Sequence, residues 1–133
     1  MKHSANLDLV RSIYASWRRG DYRATDWAAP DIEFMIVGGP DPGTWAGISA
    51  MADGWNAWLS AWDDYVAEAG EFRELDSERV LVFGRMGGRG KTSGLRVETD
   101  FANVFDLRGG AVTRLRLYAD RDRALADLGL EGG

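Results

Sequence analysis

Proton transfer in this chain has few carriers to draw on. The 133 residues contain no cysteine and a single histidine, His3, near the N-terminus. A thiol nucleophile, a thiolate metal site, a Ser-His-Asp triad and a histidine general base within the fold are therefore excluded. Acid–base work would have to come from carboxylates, tyrosine, lysine or arginine. Lys91 sits in the glycine-rich stretch GGRGKTSG, residues 87–94, which suggests a phosphate cradle by composition only. It lacks the strand–loop–helix context of a phosphate-binding loop, so that reading is set aside. Asp63 and Asp64 close the tryptophan-rich stretch, and at least one is expected in solvent.

Aromatic recognition is the better-supplied chemistry. The stretch MADGWNAWLSAWDDY, residues 51–65, spaces Trp55, Trp58 and Trp62 by three and then four, one face of a helix. Six tryptophans in 133 residues is more bulk than a core of this size requires, and a buried indole needs a partner for its N–H. Rings around an open cavity suit a flat aromatic or polycyclic ligand. The expectation is mixed: at least one of Trp17, Trp58 and Trp62 lines a cavity, and the rest are core.

Composition narrows the partners. At 45% hydrophobic and 28% charged, the chain reads as an ordinary globular domain, residues 1–133, needing no disulfide or metal staple. A net charge of −5, with arginines interleaved among acids, argues against nucleic acid and anionic lipid as partners. Apolar runs are only a few residues long, so no membrane span is expected. The opening MKHSANLDLV has no apolar leader core, which fits a cytoplasmic protein. No cofactor or metal is expected.

The elements that must position these side chains follow from periodicity. Residues 6–19 carry Leu7, Val10, Ile13, Tyr14 and Trp17 at helical spacing, with Gly20 as the stop. YRATDWAA, residues 22–29, reads as a short second helix capped by Asp21 and ended by Pro30. DIEFMIV, 31–37, alternates as a strand, and a short edge strand is expected at 44–46. The tryptophan helix is placed at 48–63. Strands follow near 65–75, 79–87, 95–107 and 111–119, then a capping helix over 120–128. Helices first and antiparallel strands later imply an α+β class, with three helices in the first half laid on one curved sheet.

That order resembles the nuclear-transport-factor-2-like superfamily and its SnoaL-like polyketide cyclase branch. The resembling pieces are SIYASWRRGDYRATDWAAPDIEF, GTWAG, TSGLRVETDFANVFDLRGGAV and RLRLYADRDRALADLGL, which together cover nearly the whole chain. The resemblance implies a cone-shaped α+β fold around a mainly apolar cavity, a small apolar or aromatic molecule as partner, and commonly a homodimer. It does not choose among the activities found on this fold, some of whose members are not enzymes.

Residue by residue, the family's proton carriers are replaced. Ketosteroid isomerase, in the same superfamily, holds an oxyanion tyrosine on its first helix; counting eight residues back from Asp21 gives Ile13. Tyr14 is its neighbour, turned about 100° around the helix. The isomerase's general base matches Ile36, and its second oxyanion donor falls nearest Asn103, an amide that can donate a hydrogen bond but not act as an acid. Limonene epoxide hydrolase resembles the chain at ERV and LRLYAD; its two strand aspartates fall at Leu81 and Leu117 and its arginine at Arg79. Its water-activating relay is therefore unsupported.

Alternation then nominates inward side chains. If Leu81 faces the cavity, so do Phe83 and Arg85; if Asn103 does, so do Phe101 and Phe105. A slip of one residue exchanges the sets. Arg85 inside would need an anion, whereas at the mouth it would reach water. Glu98 and Asp100 read as cross-strand partners of Arg85 or Arg96. The candidate ligand-binding set is thus Tyr14, Trp17, Trp58, Trp62, Phe83, Arg85, Phe101 and Asn103. Three functions compete: an isomerase- or cyclase-type enzyme on a polyketide- or terpenoid-like compound, a non-catalytic binder of apolar ligands, and an interaction module using Arg114, Arg116 and Tyr118 on the outer sheet face.

Overall fold

In the computed structural model, which describes residues 5–21, 25–37 and 43–130, the first apolar repeat becomes helix α1, Ala5–Arg18. Val10, Ile13, Tyr14 and Trp17 are its buried residues, the one-face pattern of an amphipathic helix. Gly20 ends it at φ 80°. Its N–H reaches the Trp17 carbonyl and that of Asp21 reaches Ser16, both at 2.9 Å, which satisfies the last open carbonyls.

The expected second helix is not found among the described residues. Residues 22–24 lie outside them, Asp26 and Trp27 form a turn, and Ala28 opens strand β1, Ala28–Val37. Pro30 therefore sits in a strand and does not stop a helix. It is tolerated because the register against the neighbouring strand slips between Ala28 and Glu33, so no ladder bond is asked of a residue without an N–H. Strand β2, Gly43–Ala46, is short and leads into helix α2, Ile48–Ser60. The chain turns at Ala61, so Trp62 belongs to strand β3, Trp62–Asp76, and not to the helix. Strands β4 (Arg79–Gly90), β5 (Arg96–Arg108) and β6 (Ala111–Tyr118) follow. The β5–β6 hairpin turns on Gly109 and Gly110, at φ 61° and 80°, values that glycine adopts without strain.

The six strands form one curved, open sheet in the order β2-β1-β6-β5-β4-β3. Among the described strands only the β1–β6 pair is parallel. Three register shifts along β3 bend that edge. The larger core lies between the concave face and helices α1 and α2, with Phe34, Phe105, Ile32, Met51 and Leu115 fully enclosed. A smaller core lies on the other face, where Leu81, Phe83, Ala102 and Val104 pack under helix α3, Arg121–Asp127. The architecture is α+β as expected, with two helices on the cavity side and the third behind.

Helix α3 is only seven residues long, too short to hold itself without packing and a cap. The Asp120 carboxylate accepts from the N–H groups of Asp122 at 3.0 Å and Arg123 at 3.2 Å. Asp120→Ala is expected to cost about 1 kcal/mol, the usual value of an N-cap, measured by urea unfolding. A change in stability below about 0.3 kcal/mol would show that α3 is held by packing alone.

Candidate ligand pocket

The concave core contains an opening among its rings. Its wall is built by Tyr14 and Trp17 from α1, Ile36 from β1, Trp55 and Trp58 from α2, Tyr65 and Ala67 from β3, Met86 from β4, Phe101 and Asn103 from β5, and Leu117 from β6; Val37, Tyr118 and Ala119 complete it. No Asp, Glu, Lys, Arg or His is among these residues. The free volume is about 20 Å³, room for about one water molecule. The interior is thus more completely filled than a hollow cone, and a ligand must displace side chains. Met86, an unbranched thioether, is the wall residue best suited to yield.

At the heart of the wall, Asn103 Nδ2 donates to the Tyr14 hydroxyl oxygen at 2.8 Å. Asn103 is the one buried polar residue of the described chain. Both groups reach this place for local reasons. Tyr14 belongs to the buried stripe of α1, between Ile13 and Trp17, and Asn103 shares the inward parity of Phe101 and Phe105. The Tyr14 ring is fixed by edge contacts to Trp17 at 4.9 Å and Phe105 at 5.8 Å, and it lies parallel to Phe101 at 6.3 Å. Burial pushes the phenol far above its ordinary pKa; the hydrogen bond from Asn103 pulls it partly back, and Tyr65 adds to the rise. Tyr14 therefore stays protonated at any working pH. It is a hydrogen-bond donor and not a base.

A second polar feature lies a short way along the wall. The indole N–H groups of Trp58 and Trp62 are buried without a hydrogen-bond partner. Their rings sit 5.7 Å apart, with Tyr65 6.1 Å from Trp58. A buried donor left unpaired costs roughly 1–3 kcal/mol, so Trp58, which lines the pocket, has a donor to offer an incoming acceptor. The number of tryptophans hinted at this from the sequence; which of them would be unpaired had no sequence signal.

The structure thus brings together Tyr14, Trp17, Trp58, Phe101 and Asn103. Trp62 stands behind Trp58 and does not reach the opening. Phe83 and Arg85 are corrections: both lie on the opposite face. Register pairs Val82 with Asn103 and Leu81 with Val104, and directly opposed residues share a face. Leu81 and Asn103 therefore cannot both look inward, and Phe83 and Arg85 go with Leu81. Phe83 packs in the core under α3, with the Arg121 guanidinium 4.0 Å from its ring centre. Arg85 is two-thirds exposed and pairs with Asp100 at 3.5 Å, as the cross-strand reading anticipated.

The positions that carry the family's proton relays are apolar where they reach the pocket, at Ile36 and Leu117, and Leu81 is not in it. Ile13, the counted match to the oxyanion tyrosine, is plain core, while its neighbour Tyr14 occupies the wall. Arg79 pairs with Asp76 at 2.9 Å at the far end of the sheet. The outer-face residues are engaged within the chain: Arg114 and Arg116 share Asp106, and the Tyr118 hydroxyl donates to Asp127 at 3.0 Å. Among the described residues no group of His, Cys, Asp and Glu could hold a metal ion, and no helix is long and apolar enough to cross a membrane.

The profile of the SnoaL-like domain matches residues 10–115. No curated protein matches the chain in sequence. Among solved structures, an NTF2-like protein from Burkholderia thailandensis is 21% identical over 98% of this chain and 100% of its own, with a TM-score of 0.80. An NTF2-like protein of unknown function from Burkholderia pseudomallei is 20% identical over 93% and 97%, with a TM-score of 0.78. TerC, co-crystallised with polyporic acid, is 23% identical over 96% and 98%, with a TM-score of 0.76.

Proposed function

Because this chain belongs to the SnoaL-like domain family, a group of small-molecule cyclase-, isomerase- or binding-type proteins, we propose that its pocket takes a flat, largely apolar molecule and grips it by one oxygen. The observation that carries this reading is the Tyr14–Asn103 pair, 2.8 Å apart in an otherwise apolar, aromatic wall. With the amide donating to its oxygen, the phenol retains a proton for a carbonyl or enol oxygen of the ligand. Trp58 supplies a further donor, and the surrounding rings offer faces for stacking. The co-crystal of TerC with polyporic acid supports a small organic ligand on this fold.

Such donors can polarise a carbonyl, which is the electrophilic half of an enolisation or cyclisation. The proton-accepting half has no carrier among the described residues that line the pocket. Binding with polarisation is therefore the reading favoured over acid–base turnover by this chain's own side chains. The homodimer implied by the family resemblance belongs to the same proposal.

Acetylnaphthalene and ethylnaphthalene have nearly the same shape and differ in one carbonyl oxygen. Quenching of tryptophan fluorescence is expected to give a Kd about fivefold lower for the ketone, one net hydrogen bond. Tyr14→Phe should erase that preference and leave ethylnaphthalene binding unchanged. Equal affinities in the wild type, or no quenching by either compound, defeat the proposal.

A further inference from the structure

We infer that the ligand of this pocket is an anion whose charged end lies in the groove between α1 and β3, on Arg11 and Arg18; the inference rests on the pocket reading above. The groove has about 260 Å³ of free volume, against about 20 Å³ in the inner pocket. The two share Tyr14 and Ala67 as wall, so a molecule held at Tyr14 has its open space on this side.

The groove is built by α1 residues 11, 14, 15 and 18, an i, i+3, i+4, i+7 face. That face adjoins the buried stripe, and Tyr14 belongs to both. Ala15, Ala67 and Ala69 keep the gap open with small side chains. Arg11 lies at one end, its guanidinium 4.6 Å from the centre of the Phe72 ring, and Arg18 at the other. Neither arginine makes an ion pair among the described residues. In a chain of net charge −5, two cations beside an apolar opening, without a carboxylate partner among the described residues, give the groove a sign opposite to that of the molecule. Glu68 also borders it, but alternation turns that side chain toward the other face, in register with Arg85. The chemical class is an aromatic carboxylate, phenolate or enolate: rings against the tryptophans, a neutral oxygen at Tyr14 and the charge on the guanidinium groups.

Anilinonaphthalene sulfonate and phenylnaphthylamine share one ring skeleton and differ by an anionic group. In the wild-type protein the sulfonate is expected to bind about fivefold more tightly than the neutral amine, a gain that raised salt removes. The double variant Arg11→Gln, Arg18→Gln should lose the preference while holding its affinity for the neutral amine. Because Arg11 also packs on Phe72, the salt titration of the wild type serves as the independent measurement. Binding of both probes with equal affinity, or a preference that survives the double substitution and high salt, overturns the anionic assignment and leaves the pocket standing. Binding of neither overturns both.

Discussion

Gly84→Val is expected to lower the melting temperature by about 10 °C, through a loss of about 3 kcal/mol. Gly84 is not a turn glycine: it lies mid-strand in β4, facing the pocket side, with Ala69 and Phe101 as its register partners. A Cβ there would run into the backbone carbonyl of Glu68 and come within 2.5 Å of Phe101 Cζ. The carbonyl is part of the sheet and cannot step aside as a flexible side chain could. The Phe101 ring, 2% exposed, fills the space that the missing side chain leaves, and it lies parallel to Tyr14. Displacing it would disturb the phenol as well as the fold, so affinity for acetylnaphthalene should fall with stability. Calorimetry of the two proteins measures the first effect. A shift under about 2 °C would mean that the β3 edge can move away, and that the close approach there is not a constraint.

The second large effect is a pH dependence created by a single atom change. Asn103→Asp puts a carboxyl where the amide meets Tyr14. Protonated, the acid can donate to the phenol oxygen much as Nδ2 does now. Ionised, it finds one phenol donor, aromatic faces, and no cation among the residues lining the pocket. A carboxylate needs two or three donors to offset burial, so desolvation wins and its folded pKa lies above the unfolded value of about 3.9. A group shifted upward contributes least destabilisation below the unfolded pKa and progressively more as pH rises through the folded one. The gap in melting temperature between wild type and variant should therefore be narrow at pH 4 and wider by about 5–10 °C at pH 8. A gap that stays constant across this range would show that water reaches position 103. Tyr14 itself contributes nothing to the trend, since burial keeps its phenol neutral throughout.

Most of the fold could be read from the chain because its elements announce themselves locally. The apolar spacing in α1, the turn stretches that bound β4 and β5, and the paired glycines at 109–110 each carry their own physical instruction. Failures came where the deciding information was not local. Pro30 looks like a helix stop, yet it is accommodated by a register shift against β6, a strand more than eighty residues away. Trp62 continues a helical spacing that the chain abandons at Ala61. The pocket wall is legible by residue type and not by face: alternation keeps Phe101 and Asn103 together, but placing Leu81, Phe83 and Arg85 requires the β4–β5 pairing, where one residue of register exchanges the two sets. Nothing in the spacing announced that the Tyr14 hydroxyl and the Asn103 amide, 89 residues apart, would meet.

The strand that delivers Asn103 divides its duties between neighbours. Phe101 and Asn103 address the pocket and Phe105 the core beside it, while Ala102 and Val104 are committed to the packing beneath α3. Recognition and scaffolding are thereby written on alternate letters of one short word. Descendants of such a chain can trade one greasy guest for another at the odd positions while the even ones go on holding the sheet, so divergence of purpose need leave no trace in the shape.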